Sequence, residues 1–308
     1  MNKDNYVVIT GANGFLGAAL CRNLVVQGVN VIAVVHQKDN HLKDIPHLKI
    51  VSCALSEYDK LVNLLNDIKK IDVFYHLAWA GTSGELRGDL NTQLANIKAT
   101  CDAVKACREI GCRRFVFAAS IMEYEIHAYM QTGNRPARST LYSSAKLSAD
   151  YMARTIANDL DIDYIRAVIS NIYGPGEYSA RLINTSIRKM LNHEHCAFSP
   201  GEQLYDFIYI EDAVDAFLAI GNRGVNNKTY YIGNPVPRKL KDFLYEMRDA
   251  VNPDLAIGVG ENPFDGVSLS YNEFDTDNLN LDTGFVPQVD FITGIRKTAD
   301  WLKEHGNV

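Results

Sequence analysis

Residues 6–17 read YVVITGANGFLG. The first five are mostly β-branched and apolar, which favours a buried strand, and leucine recurs every four residues in the segment that follows, which favours a helix with one buried face. Between the two lies a turn with glycine at positions 11, 14 and 17. A strand, a glycine turn and a helix in this order form the phosphate-binding unit of dinucleotide-binding folds.

Each glycine of the turn has a different use. Gly11 permits the tight turn, Gly14 lets the backbone approach a pyrophosphate, and Gly17 allows the helix to pack closely on the strand. The spacing is G-x-x-G-x-x-G rather than G-x-G-x-x-G. The unpaired N–H groups at the start of the helix then face the phosphates. The turn predicts six cofactor-binding residues: Gly11, Asn13, Gly14, Phe15, Leu16 and Gly17.

Strand-like and helix-like segments alternate through the first half of the chain. Most of the strand-like runs are apolar throughout, which is typical of a parallel sheet covered on both faces. We therefore predict an α/β fold, a doubly wound parallel (Rossmann) sheet. The predicted strands are 6–10, 31–35, 48–52, 73–78, 115–119 and 164–170, and the predicted helices are 15–27, 58–69, 90–110 and 142–159.

After residue 171 the pattern loosens into turn-rich sequence with a helix near 182–192. Core-like pattern returns at 206–219 and 229–232, and a last helix is predicted near 294–305. We expect a dinucleotide-binding domain of residues 1–170 plus 206–234. A smaller, interleaved substrate-binding lobe would comprise residues 171–205 plus 235–308.

Composition narrows the classes of function. The chain has 308 residues, 47% of them hydrophobic, and a net charge of −6 without a dense Lys/Arg run, so we expect no nucleic-acid partner. We find no signal-peptide pattern at the start and no apolar stretch of about 20 residues, so we expect a cytoplasmic protein with no membrane partner. The six cysteines show neither zinc nor redox spacing, so we expect free thiols and no metal.

Tyr142 and Lys146 are candidates for proton transfer. They stand four residues apart on a predicted helix and so share one face. A cationic lysine beside a phenol lowers the phenol's pKa from about 10 and makes it a usable proton donor or acceptor. Ser120 ends the predicted strand 115–119 at the carboxyl edge of the sheet, where ligands bind in such folds. It can hydrogen-bond the reacting oxygen.

The glycine turn, the strand-end serine and the Y-x-x-x-K pair, in this order, resemble the extended short-chain dehydrogenase/reductases, in particular the NAD-dependent epimerase/dehydratase group acting on nucleotide sugars. Further matches are residues 72–78, 171–176, 206–212, 231–233 and 294–301. The resemblance implies a nucleotide-sugar substrate and catalysis by Ser120, Tyr142 and Lys146. Helices 90–110 and 142–159 resemble the family's dimerisation pair, which implies a homodimer, although their apolar faces could equally serve only to cover the sheet.

By the same resemblance, Ala78 backs the cofactor and Asn171 touches the substrate's phosphates. Trp79 either packs over the cofactor pocket or stacks on the sugar, and Thr82 and Ser83 are polar candidates for the sugar. The further cofactor residues are His36, Lys38, Leu55, Leu77, Ala78, Tyr142 and Lys146. The substrate residues are Trp79, Thr82, Ser83, Met122, Asn171, Arg181 and Leu182.

The cofactor is expected to be NADP in preference to NAD. In NAD-specific proteins of this fold an acid after the second strand accepts hydrogen bonds from the adenosine ribose. Val35 occupies that place, and His36 and Lys38, which could attract a 2′-phosphate, follow it, although Asp39 is close. Removal of the repulsive carboxylate favours NADP.

Two phosphate-binding arginines of the family are missing. Tyr205 stands where the first is expected, and the second is lost around residues 262–263. Arg181 is the cation closest to the expected pocket, with Arg188 and Lys189 on the same predicted helix. These cations could compensate, or they could be solvated charges on the helix surface.

Three reactions fit the constellation to different degrees. Our leading hypothesis is reduction of a nucleotide-linked 4-keto-6-deoxyhexose, since the loop after residue 78 resembles that of deoxysugar 4-reductases. A sugar 4-epimerase with tightly held NAD would use the same residues. A 4,6-dehydratase is disfavoured because dehydratases of the family generally carry an Asp-Glu pair beside the strand-end hydroxyl residue, whereas Ile121, Met122 and a lone Glu123 follow Ser120 here. From another class, the chain could be a catalytically silent nucleotide-binding scaffold.

Overall fold

Strands and helices alternate along the chain, and a second group of short strands follows. The computed structural model describes residues 5–36, 42, 45–46, 48–68, 70–264 and 266–305. The elements in chain order are β1 (Tyr6–Thr10), α1 (Phe15–Val26), β2 (Asn30–Val35), β3 (Leu48–Ser52), α2 (Leu61–Leu65), β4 (Ile71–His76), α3 (Leu90–Glu109), β5 (Arg114–Ser120), α4 (Glu125–Thr132), α5 (Thr140–Asp159), β6 (Asp163–Ile169), β7 (Asn171–Tyr173), α6 (Leu182–Leu191), β8 (Cys196–Phe198), β9 (Leu204–Tyr205), β10 (Phe207–Tyr209), α7 (Ile210–Arg223), β11 (Thr229–Ile232), β12 (Arg238–Lys239), α8 (Leu240–Val251), β13 (Ile257–Val259), α9 (Asn278–Thr283) and α10 (Phe291–His305).

A seven-stranded parallel sheet in the order β3-β2-β1-β4-β5-β6-β11 forms the centre of the described chain. Its strands are apolar because both faces are covered: Val7, Val8 and Ile9 on β1 have no exposed surface. The predicted Rossmann-type sheet is thus confirmed. The chain order reverses between β1 and β4, and a crevice for ligands forms at such a reversal, beyond the carboxyl ends of the strands.

The six predicted strands are all present, and their ends differ from the prediction by two residues at most. The predicted helix 58–69 is wrong. A 3₁₀ turn, Leu55–Lys60, precedes the short α2, and Glu57 has non-helical backbone angles (φ −121°, ψ 17°). Asn66 and Asp67, both weak helix formers, follow α2. Leu61 and Leu65 are fully buried at helical spacing, so one face of the short α2 packs into the core.

An aromatic cluster connects the shorter strands to the C-terminal helices. Phe207 on β10 packs on Phe243 of α8 and Phe291 of α10, with ring centres 5.1 and 5.4 Å apart, and Phe243 and Phe291 are 4.8 Å apart. Around it β7 pairs with β10, β8 with β13 and β9 with β12. These elements face the carboxyl ends of β5 and β6 across a cavity.

Asp206 fixes the C-terminal segments to the sheet. Its buried carboxylate accepts hydrogen bonds from the hydroxyls of Tyr231 (2.8 Å) and Tyr271 (3.1 Å) and from the Asn234 N–H (2.8 Å). Burial raises the pKa of Asp206 to about 6. The segment 206–212, recognised in the sequence as a motif, therefore includes a structural carboxylate.

Within the residues just given, the structure contains no helix long and apolar enough to span a bilayer. The six cysteines are buried and form no disulfide.

Candidate active site

The glycine turn has the tight geometry that its sequence predicts. Gly11 has a φ of +68°, and a Cβ there would lie 2.7 Å from the Ala78 backbone nitrogen. A Cβ on Gly17 would lie 2.2 Å from the Gly11 carbonyl oxygen, so only glycine lets α1 approach β1 this closely. Gly14 caps α1 without any side-chain hydrogen bond to the helix start. This end of the helix is therefore open to an anion.

A cleft of about 640 Å³ runs from this turn to Tyr142. Nearly all predicted cofactor residues line it. Lys38 lies outside the described residues. The predicted residues on the cleft wall are Gly11, Asn13, Gly14, Phe15, Leu16, Gly17, His36, Leu55, Leu77, Ala78, Tyr142 and Lys146.

Among the described residues, the cleft wall at the end of β2 carries no acid. Val35 is buried there, and the following His36 is exposed and lines the cleft. Among the described residues that line the cleft, the only carboxylate belongs to Glu177, which follows β7. The described residues at the end of β2 are thus an apolar valine and an imidazole.

Ser120 and Tyr142 lie where this cleft meets a second cavity. Each of the two residues lines the cleft and the cavity. Ser120 ends β5, while Tyr142 is in the first turn of α5, and the Ser120 hydroxyl acts to lower the pKa of the Tyr142 phenol. A short turn holds the serine: its Oγ accepts the Met122 N–H at 3.2 Å, and its own N–H donates to Glu123 at 2.8 Å. A reacting oxygen between the two hydroxyls would be accessible from the cofactor side and from the substrate side.

Lys146 is buried one helical turn beyond Tyr142. Its Nζ donates to the Ala118 carbonyl at 2.7 Å and lies 3.9 Å from the centre of the Trp79 ring. Burial lowers the pKa of Lys146 to about 7, because desolvation disfavours the cation.

The expectation that Lys146 lowers the pKa of Tyr142 is not met in this structure. Burial is the largest influence and raises the Tyr142 pKa, while the Ser120 hydrogen bond and the charges of Arg87 and Arg181 lower it. The sequence spacing indicated a shared helix face, but it did not show that the lysine nitrogen is directed towards Ala118 and Trp79.

Trp79 lines the cleft that holds the predicted cofactor residues. Its indole Nε1 donates to Gln93 Oε1 at 3.0 Å, and its ring meets the Tyr142 ring edge-on at 6.1 Å. It lines the cleft and is not among the residues that line the second cavity. Of the two roles expected for Trp79, this position favours packing over stacking on a sugar.

The second cavity, of about 450 Å³, extends from Ser120 and Tyr142 towards the aromatic cluster. The predicted substrate residues on its wall are Thr82, Ser83, Met122, Asn171, Arg181 and Leu182. Tyr205 also lines it, at the place where an arginine was expected. The Asn171 side-chain amide donates to the Asp206 carbonyl at 3.1 Å, which fixes its orientation.

Two charged residues on this wall were not predicted. Arg87 lies in the loop before α3, and Glu177 follows the Gly-Pro-Gly turn after β7. Glu177 is buried, accepts the Ser179 N–H at 2.8 Å and lies 3.7 Å from Arg181 Nε. Neither residue belongs to a motif or a periodic pattern. Only the proximity of Arg87 to Thr82 and Ser83 in sequence could have suggested it.

The acid next to Ser120 is already paired. Glu123 is buried and accepts from Arg166 Nη2 at 2.5 Å as well as from the Ser120 N–H. The two positions between them, Ile121 and Met122, carry no titratable group and line the second cavity.

Comparisons with known proteins agree with this geometry. The sequence model of the NAD dependent epimerase/dehydratase family matches residues 7–233. The trifunctional UDP-glucose 4,6-dehydratase/UDP-4-keto-6-deoxy-D-glucose 3,5-epimerase/UDP-4-keto-L-rhamnose-reductase of Arabidopsis thaliana is 25% identical over 323 residues, which cover 98% of this chain and 48% of that protein. The chain thus spans about half the length of that relative.

The CDP-abequose synthase of Salmonella typhimurium is 25% identical over 309 residues, covering 95% of this chain and 96% of that protein. Among solved structures, the UDP-glucuronic acid 4-epimerase of Bacillus cereus, in complex with UDP-glucuronic acid and NAD, shares the fold with a TM-score of 0.79. Its identity is 20%, with 97% of this chain and 99% of that one covered. Since the family match includes the glycine turn, Ser120, Tyr142 and Lys146, this chain belongs to the NAD dependent epimerase/dehydratase family.

Proposed function

We propose that this protein reduces the C4 keto group of a nucleotide-linked 4-keto-6-deoxyhexose, with NADPH as the preferred reductant. The observation that carries the proposal is the position of Ser120 and Tyr142 at the junction of the two cavities, with no acid at positions 121 and 122. The site thus has a proton donor for a carbonyl oxygen and no carboxylic acid at the two positions that follow Ser120.

Reduction requires few groups of the protein. A bound reduced nicotinamide supplies hydride to the carbonyl carbon. Tyr142 donates its hydroxyl proton to the carbonyl oxygen, and Ser120 hydrogen-bonds that oxygen as negative charge develops on it. Burial favours the neutral, proton-carrying form of Tyr142, which suits a donor.

Dehydration is a poorer fit. Eliminating water from a sugar requires an acid to protonate the leaving hydroxyl. Glu123 is paired with Arg166, and the Glu177 carboxylate accepts a backbone N–H and faces Arg181. The name of the Arabidopsis thaliana relative lists a 4,6-dehydratase, a 3,5-epimerase and a reductase, so the choice rests on the residues of this site and not on that name.

For the nucleotide-linked part of the substrate we propose that Arg181 binds the phosphates. It lines both cavities, and its guanidinium suits the geometry of phosphate oxygens. Asn171, Thr82 and Ser83 line the same cavity and supply polar contacts for the sugar.

The preference for NADP rests on the end of β2. No carboxylate of the described cleft wall lies there to repel a 2′-phosphate, and His36 can contact it. The Bacillus cereus epimerase structure contains NAD, but that is a property of the epimerase and does not set the cofactor preference of this chain. Titration of this protein with NADPH and NADH tests the preference, and tighter binding of NADH would reverse it.

The function is tested by incubating the purified protein with CDP-, UDP-, GDP- and dTDP-linked 4-keto-6-deoxyhexoses and either reduced cofactor. We expect stoichiometric NADPH oxidation and a 4-hydroxy product with one of them. Incubation with the corresponding 4-hydroxy sugars tests the alternative: their interconversion at C4 without net cofactor oxidation would identify an epimerase, and no turnover with any sugar of either kind would identify a scaffold.

We also propose the division into a dinucleotide-binding domain (1–170 plus 206–234) and a substrate lobe (171–205 plus 235–308), and a homodimer formed through α3 and α5. Exposed apolar side chains on both helices support the dimer: Leu90, Leu94, Tyr151 and Met152.

A further inference from the structure

Arg87 lies on the face of the Tyr142 ring. Its guanidinium carbon is 4.3 Å from the ring centre, and its Nη1 donates to the Thr82 carbonyl at 3.0 Å. The second contact holds the cation within its own loop. Arg87 and Tyr142 line the same cavity beside Ser120. A guanidinium over an aromatic face is attracted by the π electrons, and the attraction grows when the ring carries a negative charge.

The other cation near the tyrosine is engaged elsewhere. The Lys146 ammonium donates to the Ala118 carbonyl and lies over the Trp79 ring. Its pKa of about 7 leaves it only partly charged at neutral pH. An arginine keeps its charge at any pH the protein meets. Arg87 is therefore the constant positive charge in contact with Tyr142.

The remaining groups around the phenol act in different directions. Ser120 and the more distant Arg181 favour the ionised form of Tyr142, while burial and Glu123 oppose it. Glu125 accepts a hydrogen bond from Ser143, and the charge of Arg87 acts to lower the pKa of this carboxyl group as well. Among the charged groups of the described chain, Arg87 is the one in contact with the Tyr142 ring.

We propose that Arg87 is a positioning residue that stabilises the ionised phenol of Tyr142 and so sets the pH range in which Tyr142 exchanges its proton with substrate. The role rests on the proposed function, because it concerns the same proton donor. It differs from a phosphate-binding role, which would affect substrate affinity alone.

The first test needs no substrate. The ultraviolet absorbance of ionised tyrosine is followed during alkaline titration of the wild type and of Arg87→Met. From each titration curve we subtract the curve of the same protein carrying Tyr142→Phe as an additional change. The difference isolates Tyr142. We expect Arg87→Met to raise the titration midpoint by about one pH unit and Arg87→Lys to restore part of the shift. Arg22→Met, in the exposed part of α1, is the control for loss of a charge. An unmoved midpoint in Arg87→Met would overturn the proposal.

The second test uses the keto sugar that the wild type reduces. Since Tyr142 must carry its proton, kcat falls at alkaline pH, and Arg87→Met should move that fall upward by about one pH unit. A higher KM with an unmoved alkaline limb would overturn the proposal and make Arg87 a substrate anchor. If the wild type reduces no keto sugar, the proposed function fails, while the absorbance titration still decides the role of Arg87.

Discussion

Lys146 is a cation held almost entirely away from water, and its Nζ contacts the Ala118 carbonyl and the rings of Trp79 and Phe117. Below about pH 7 it is charged in both the folded and the unfolded chain, and the folded state bears the full cost of burial. Above that pH the folded lysine loses its proton, while the unfolded one keeps it to about pH 10.4. Stability attributable to Lys146 therefore rises with pH through this window.

This linkage predicts the behaviour of Lys146→Met. The free energy of unfolding of the wild type minus that of the variant should rise between about pH 7 and 10, by up to about 1.4 kcal/mol per pH unit. Urea unfolding at several pH values measures it. The exposed Lys105→Met is the control and should give no such slope. Parallel curves for the wild type and Lys146→Met would contradict the burial of a titrating lysine.

Tyr142→Phe removes the proposed proton donor and leaves the ring that packs against Trp79 and Arg87. We expect turnover to fall about 10²- to 10⁴-fold, with the cofactor Kd unchanged within about threefold. Steady-state kinetics and cofactor titration measure the two quantities. Tyr151→Phe, exposed on the same helix, should leave both unchanged. Retained turnover in Tyr142→Phe would remove Tyr142 from the mechanism.

Sequence reasoning identified Ser120, Tyr142 and Lys146 because each belongs to a motif with fixed spacing. It did not identify Arg87 or Glu177, because their proximity to the site depends on how two loops fold back over the sheet edge. The direction of the Lys146 pKa shift was also inaccessible, since it depends on burial and not on spacing.

At the scale of elements, the glycine turn combines a packing function with a binding function. Gly17→Ala should destabilise the protein by about 1–3 kcal/mol, because its Cβ would clash with the Gly11 carbonyl at 2.2 Å. Gly14→Ala meets the same oxygen only at 3.2 Å, so its fold should be nearly as stable as the wild type. Because Gly14 begins α1 at the proposed phosphate site, its variant should instead lose cofactor affinity.

Thermal unfolding without cofactor, followed by cofactor titration, separates the two variants. Equal stabilities of Gly17→Ala and Gly14→Ala would show that α1 can shift away from β1, contrary to the tight contact described above.

Element prediction succeeded where apolar runs are continuous and failed where periodicity was short. The strands of the sheet follow from their buried Val and Ile residues, since both faces must be covered. The segment 58–69 was predicted as one helix, but a 3₁₀ turn occupies Leu55–Lys60 and the turn-forming Asn66 and Asp67 follow, so Leu61–Leu65 is the α-helical part of its described residues.

At the scale of the whole molecule, the proposed dimer makes a direct prediction. Leu94 on α3 and Met152 on α5 are each about half exposed, at 53% and 52%. Replacing both by lysine should place charges in an apolar interface and shift the protein from dimer to monomer. Sedimentation velocity measures the change. Val26→Lys, at an 87% exposed position of α1, should leave the assembly intact, and an unchanged mass in the double variant would exclude this interface.

Because the Lys146 ammonium lies over the Trp79 ring, the fluorescence of this indole can report on the site. The chain has two tryptophans, and the other, Trp301, lies on α10 against His305. Emission from Trp79 depends on the charge of the neighbouring ammonium group and on whatever occupies the cleft that the indole lines. In a Trp301→Phe background, fluorescence would thus follow both the lysine's ionisation and the arrival of a reduced nicotinamide, which absorbs where indole emits.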